Sequence, residues 1–533
     1  MKKFILILII LLASILRLYK LGSNPPSLYW DETSLGYNAY SILKTGHDEH
    51  GNLFPLTNFA AFGDYKPPGY IYATVPSIAI LGLNEFAIRF PSAFFGILTV
   101  LLTYLIAKKV FEKENIALLS AFFLAISPWH LQFSRGAFEA NLGLFFSALG
   151  IYLFLKFEEK PIFFAASIMS FIAGMYTFTG QRLFAPFIVL ILLIQFRKRL
   201  LENLKIIIPT FIVAATIFWP LFRFATGTIE GRLRFNEVTI FKDLAPINES
   251  TKYRQRENFS LLSSIIYNRR LFFAQDYLKH YFDAFNPSFL FTKGDGNPRL
   301  SIQEVGELYY IDLVLVLAGT YFLIEKKHKF RFLIIGWLLI SPLGPATARE
   351  TPHALRMIHI LPTFQLIAAF GLYHLYRIVK FKKLLITFTF LLLTFNFAYY
   401  LHMYYSHWPK DYSGEWQYGY KQAVEAANSQ YNKVDQIIVT KKLGRPYIYF
   451  LLYNSFDSNK YLKTVRIVKD DFYFYDVDGF DKYNFVDNIG SFNASGKLLY
   501  VTDPNGTPSG ANIINKVTDL KGQTVFEISR LDK

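Results

Sequence analysis

Apolar runs of roughly the 17–25 residues that carry a helix across a bilayer recur along this chain, and no other feature constrains its fold as strongly. They lie at Phe4 to Leu21, Phe90 to Ala107, Ile116 to Leu131, Leu142 to Lys156, Ile162 to Thr179, Phe184 to Phe196, Ile206 to Phe222, Tyr309 to Ile324, Phe332 to Leu343, Met357 to Tyr376 and Leu384 to Tyr404. These eleven segments predict a polytopic α-helical membrane protein. A twelfth stretch, Gly69 to Leu83, is short and interrupted by Pro76. Taken as a full crossing it would reverse the charge alternation described next, so it reads as a juxtamembrane or re-entrant helix, with an ordinary span as the alternative. Lys2 and Lys3 before the first apolar stretch imitate a signal peptide, but the length and the many spans that follow predict an uncleaved first span.

The connections at Lys108-Lys109, Lys156 to Lys160, Arg197-Lys198-Arg199, Lys326 to Lys329 and Arg377 to Lys383 are basic, which assigns them to the cytoplasm. Parity then puts the loops 22–68 and 225–307 and the C-terminal tail outside the membrane. The tail from Ser406 carries 16 basic against 15 acidic residues, so nearly all of the formal charge of +16 belongs to the membrane portion. That distribution fits positive-inside loops and anion handling, and it argues against nucleic acid as a partner. With no cysteine in the chain, disulfides, thiolate metal sites and a cysteine nucleophile are excluded.

Character changes after about residue 405. Gln436 to Thr440, Thr464 to Val468, Lys497 to Thr502 and Thr524 to Ile528 read as short strands, after a helix-like Trp416 to Asn428. The expected organisation is a transmembrane domain over 1–405 and a small α/β extracytoplasmic domain over 406–533.

Charge beside a bilayer is costly and usually functional. Asp31 and Glu32 follow the first span among Tyr29, Trp30 and Tyr37. A carboxylate in that desolvating setting could take the proton of an attacking hydroxyl. The structural alternative is an acidic pair favouring a helix N-terminus beside an aromatic anchor. Lys66, before Pro67 and Pro68, offers a point charge on extended backbone suited to a phosphate, although a snorkelling lysine would look the same. Arg135 and Glu139 are four apart, which a helical turn would set on one face, as a structural ion pair or as a second carboxylate with an orienting cation. Arg182 adds a cation, and Arg349 to Arg356 brings two guanidiniums and His353 to the mouth of a span, where guanidinium matches phosphate oxygens. Ordinary interfacial charge is the alternative for that cluster. No Walker loop, dinucleotide fingerprint or metal-ligand spacing occurs, so the sugar donor for such chemistry would be a lipid and not a nucleotide.

These residues resemble the GT-C membrane glycosyltransferases, in particular the group of dolichyl-phosphate-mannose protein mannosyltransferases that includes the aminoarabinose lipid A transferases. The resemblance runs from Met1 to about Tyr404 and rests on Asp31-Glu32, Lys66-Pro67-Pro68, the Glu85 to Ala93 stretch and Ser134-Arg135 followed by Glu139. It implies Asp31 as catalytic base with Glu32 as companion, Glu139 as a second-loop carboxylate where the family often has aspartate, and Lys66 as the lipid-phosphate contact. Arg135, Arg356, His353 and Arg182 would add donor-phosphate binding.

The expected activity is inverting transfer of one hexose or pentose from a polyprenyl phosphate to an envelope protein, lipid or glycan on the outer face. A cofactor is not required; a divalent metal is possible with three carboxylates present, but no spacing demands one. The competing expectations are a lipid-linked substrate transporter or flippase, which should show inverted halves or matching broken helices, and a non-catalytic envelope assembly protein.

Overall fold

The computed structural model describes residues 2–469, 475–492 and 495–532. All eleven expected segments are helical. Among the described residues, four helices are long and apolar enough to cross a membrane: Glu85–Phe111, Glu139–Glu158, Leu204–Gly227 and Lys382–Asp411. Two bent pairs raise the number to six if each is one span: Glu114–Ile126 with Pro128–Arg135, bent by 56°, and Ala354–Ile360 with Thr363–Ile378, bent by 51°. The other five of the eleven are shorter, among them Lys2–Leu18 with 17 residues and Gln181–Gln195 with 15. Length and composition alone thus mark four to six candidate crossings among the described residues, against the eleven that the hydropathy pattern predicts. The stretch near Pro76 is the 14-residue helix Pro68–Leu81. At 1.5 Å per residue it is about 21 Å long, short of the ~30 Å hydrocarbon layer.

The chain forms two compact units, and they do not follow chain order. The first comprises residues up to Arg17, Phe94–Ser134 and Glu139–Tyr400. It is a helical unit that joins apolar helices such as Glu139–Leu155 to the polar Ile229–Val238, Ala245–Arg256 and Arg269–Asp283. Its closest approach is between Tyr310–Glu325 and Thr363–Ile378, where glycines face the opposing backbone. A Cβ on Gly319 would come within 2.0 Å of the Ile367 carbonyl, and one on Gly371 within 2.2 Å of that of Leu315. Small residues permit such contact between membrane helices.

The second unit comprises Leu18–Ala93, Arg135–Phe138 and Leu401–Lys533. The expected boundary at 405/406 lies close to the Tyr400/Leu401 limit of the two units, and the second unit also takes in residues 18–93 and 135–138. A hairpin of β1 (Phe59–Ala61) and β2 (Asp64–Lys66) lies in the loop. Its two connecting residues, Phe62 and Gly63, both have positive φ, as a tight hairpin turn requires.

The tail holds a seven-stranded sheet: β3 (Gln436–Thr440), β4 (Arg466–Lys469), β5 (Tyr475–Phe480), β6 (Tyr483–Val486), β7 (Lys497–Thr502), β8 (Asn512–Thr518) and β9 (Thr524–Asp532), in the order β4-β5-β6-β3-β7-β9-β8. Among the described residues, only the pairings of β3 with β6 and β7 are parallel. The central β3, buried from Ile437 to Thr440, is the continuous apolar strand that a sheet covered on both faces demands.

Candidate active site in the first outer loop

The Trp30–Thr45 helix starts on a capping box, with the Glu32 carboxylate reaching back to the Tyr29 N–H, and ends at Gly46 in the left-handed region. Gly36 in its middle allows close packing: a Cβ there would come within 2.4 Å of Ile88. Asp31 and Glu32 thus sit side by side in the first turn of one rigid helix, one residue and about 100° apart, and they meet different partners.

Glu32 is fully buried and held by Arg89 through two parallel contacts, Nε to Oε1 and Nη2 to Oε2, each 2.9 Å. The Ala137 N–H donates to Oε1 at 2.7 Å. Arg89 spends its remaining N–H groups on the carbonyls of Leu21, Pro25 and Ser27, and its guanidinium lies over the Trp416 ring at 5.7 Å. Such a fork, desolvated at both ends, ties the loop after the first span to the helix. Glu32, expected as the catalytic companion of Asp31, is thus engaged by Arg89 and the Ala137 N–H.

Asp31 keeps a quarter of its side chain exposed. Its Oδ1 is 3.3 Å from Lys66 Nζ, which also lies 3.0 Å from Asp64. Lys66 ends β2, and Pro67 and Pro68 follow it directly into the next helix, with Pro68 at the first helical position, where its missing N–H costs nothing. The hairpin and the prolines therefore fix the lysine backbone while its ammonium reaches two carboxylates. The structure brings together the two residues that the sequence singles out first.

Arg135 is placed differently from expectation. Its side chain is almost wholly buried; Nε donates to the Tyr404 hydroxyl at 3.0 Å and Nη2 to the carbonyls of Tyr19 and Asn24 at 2.8 and 2.9 Å. It is an internal brace, with Tyr404 and Tyr405 against its face. The single helical turn predicted for Arg135 and Glu139 is absent: one helix ends at Arg135 and another begins at Glu139, with Gly136 to Phe138 breaking them.

Glu49, which the sequence reading passed over, is buried in the same unit. Its carboxylate accepts from Asn38 at 2.8 Å, Ser34 at 3.4 Å and Tyr447 at 3.2 Å, and its N–H donates to Asn38 Oδ1 at 3.0 Å. Burial raises its pKa above the ordinary carboxylate range. The link from Tyr447, on Pro446–Tyr453, fastens the helix that carries Asp31 to the strand-rich domain. Neither residue lies in a recognisable motif, so no local signal marks them.

The other expected site residues belong to the helical unit. His353 Nδ1 lies 3.9 Å from Asp295 Oδ2, whose carboxylate accepts the Ala354 N–H at 2.6 Å and the Asn297 N–H at 2.8 Å. Buried Glu307 accepts the Asp295 N–H at 3.1 Å. Burial pushes both carboxyls up, and proximity to Asp295 adds to the effect on Glu307. Arg356 leans on Glu350, donating to its carbonyl at 3.2 Å. Arg182 donates to the Met175 carbonyl at 3.4 Å, and Glu139 occupies the first turn of its helix. Sequence reasoning missed Asp295 and Glu307 because their loop has no decodable spacing.

ArnT from Cupriavidus metallidurans bound to undecaprenyl phosphate matches with a TM-score of 0.56 at 11% identity, over 98% of this chain and 97% of that one. The oligosaccharyltransferase of Archaeoglobus fulgidus tethered with an acceptor peptide matches with a TM-score of 0.51 at 14% identity, over 85% of this chain and 63% of that one. The fold is thus similar to the folds of these two proteins.

Residues 7–181, which include Asp31, Glu32, Lys66, Arg89, Arg135 and Glu139, match the family described as dolichyl-phosphate-mannose-protein mannosyltransferase. An uncharacterized protein of Aquifex aeolicus (strain VF5) is 33% identical over 178 residues, 32% of this chain and 34% of that protein. The chain thus spans about a third of the length of that relative.

Proposed function

We propose that this protein is an inverting glycosyltransferase that moves one sugar from a polyprenyl-phosphate-linked donor to an envelope acceptor on the outer face of the membrane. The observation that carries this reading is the contact between Asp31 and Lys66, a partly exposed carboxylate and a backbone-fixed ammonium in one outer loop. Asp31 is the base that takes the acceptor's proton as the hydroxyl attacks the sugar carbon. The leaving group is a phosphate, already a good anion, so a strong general acid is unnecessary and a cation at the departing oxygen matters more.

Lys66 supplies that cation. Because its Nζ now contacts Asp31 and Asp64, an arriving phosphate takes over part of its coordination and frees Asp31 for the acceptor, so donor binding prepares the base. Support for a lipid phosphate comes from the structural relatives: ArnT of C. metallidurans was solved with undecaprenyl phosphate, and the A. fulgidus oligosaccharyltransferase with a dolichol-phosphate. The acidic, solvent-reaching site, the late-loop cations and the C-terminal domain are assigned to the outer side on the loop-charge argument.

The test is reconstitution of the full chain in liposomes with polyprenyl-phosphate sugars labelled in the sugar, over a panel of hexoses and pentoses and with total envelope lipid and protein as acceptors. The expected result is label in an acceptor with stoichiometric release of polyprenyl phosphate, lost in Asp31→Asn. Translocation of intact donor across the liposome without glycosyl–phosphate cleavage would replace this reading with that of a flippase.

A further inference from the structure

We infer that His402 and His407 form a chelating site for a divalent transition-metal ion of the zinc class, on the turn by which the chain leaves its last apolar helix. Their Nε2 atoms stand 3.3 Å apart, with ring centroids separated by 5.1 Å and ring planes at 71°. Two imidazole nitrogens bound tetrahedrally to zinc, each at 2.0–2.1 Å, lie about 3.3–3.4 Å from one another. The pair therefore already has the spacing of neighbouring ligands.

The backbone explains why residues five apart meet. In an α-helix a five-residue step turns side chains about 140° away from each other. Here Met403–His407 is a π-helical turn, closed by the Trp408 N–H on the Met403 carbonyl, and this wider turn brings the fifth residue back over the first. Both imidazoles are exposed at the surface of the structure. Neutral imidazole nitrogen suits zinc, copper or nickel and does not suit magnesium or calcium. Among the described residues no third histidine, aspartate or glutamate completes a group of three. Two positions on a tetrahedral ion thus remain for water or for an oxygen of an incoming molecule.

The same turn presents Tyr404 to Arg135, and Trp408 stacks on Tyr404 at 5.1 Å. An ion bridging His402 and His407 pins that turn, so metal binding should appear as added stability of the folded protein.

The experiment uses the full chain in detergent, stripped with a chelator and titrated with zinc by calorimetry, with thermal unfolding followed in parallel. One saturable zinc per chain is expected, with affinity falling on the order of tenfold or more in His402→Ala and in His407→Ala. Zinc should raise the unfolding midpoint of the parent protein and leave that of His402→Asn or His407→Asn unmoved, while magnesium raises neither. Equal zinc affinity in the parent and the double variant overturns the proposal. So does a loss of stability in the variants without any zinc response in the parent, which would reduce the pair to an N–H···N hydrogen bond.

Discussion

The two carboxylate clusters outside the apolar helices are built on opposite principles. In the loop after the first apolar helix every carboxylate of the Asp31, Glu32 and Asp64 group faces a cation: Glu32 has Arg89, and Asp31 and Asp64 share Lys66. In the late loop, Asp295 and Glu307 are buried against backbone N–H groups, with His353 at 3.9 Å, and burial raises both. Opposite charge offsets the cost of burial in the first cluster, whereas in the second burial raises both carboxyls, and of the nearby cations Arg356 pulls Asp295 the other way. Within the first cluster a further contrast holds at one-residue scale, because Glu32 is locked and Asp31 is reachable.

The largest expected effect is on rate. Asp31→Asn should lower transfer by about 10²–10⁴ while the protein folds normally, since an amide keeps the size but takes no proton. Next comes stability. Arg89→Ala leaves Glu32 buried without its partner, which typically costs about 3–5 kcal/mol, and Arg89→Lys should recover little because an ammonium cannot make the two parallel contacts. Thermal unfolding in detergent reads both variants, and an unshifted midpoint in Arg89→Ala would remove the distinction between clamp and reactive carboxylate.

A smaller effect attaches to Lys66. Lys66→Ala should weaken donor binding and slow transfer, Lys66→Arg should retain part of both, and the unfolding midpoint should move little in either. Titration of the polyprenyl-phosphate donor checks this, and unchanged donor affinity in Lys66→Ala would mean that the lysine only balances Asp31 and Asp64.

The smallest effect is a pH dependence. The folded-state pKa of Glu49 is raised, so its contribution to stability is full below the ordinary value of 4.5 and is lost as pH rises through the raised value. Glu49→Gln, which cannot ionise, should flatten that part of the stability–pH curve. A curve of the parent's shape in Glu49→Gln assigns the slope to other groups.

Much of this was legible in the sequence for identifiable reasons. The apolar runs announce helices, and the short continuous apolar runs of β3 and β7 fall where the structure has strands. β5, β6 and β8 escaped because their polar and aromatic residues dilute the alternation, and β8 is almost entirely exposed. Asp31 and Lys66 stood out as charges in an apolar setting, and the structure pairs them. The role of Glu32 did not, because its partner Arg89 lies 57 residues away, hidden as one basic residue at the start of an apolar run. Arg135 misled for the complementary reason: a break at Gly136 to Phe138 turns an i, i+4 spacing into two separate helix ends.

The central claim is that adjacent carboxylates do different work, Asp31 in chemistry and Glu32 in holding the loop. The direct test measures transfer rate and unfolding midpoint together for the matched pair Asp31→Asn and Glu32→Gln in the purified full chain. Asp31→Asn should keep the parent midpoint and lose transfer, while Glu32→Gln should lower the midpoint and, at a temperature where it is folded, keep measurable transfer. Parent-like turnover in Asp31→Asn, or a stable and inactive Glu32→Gln, would contradict the account.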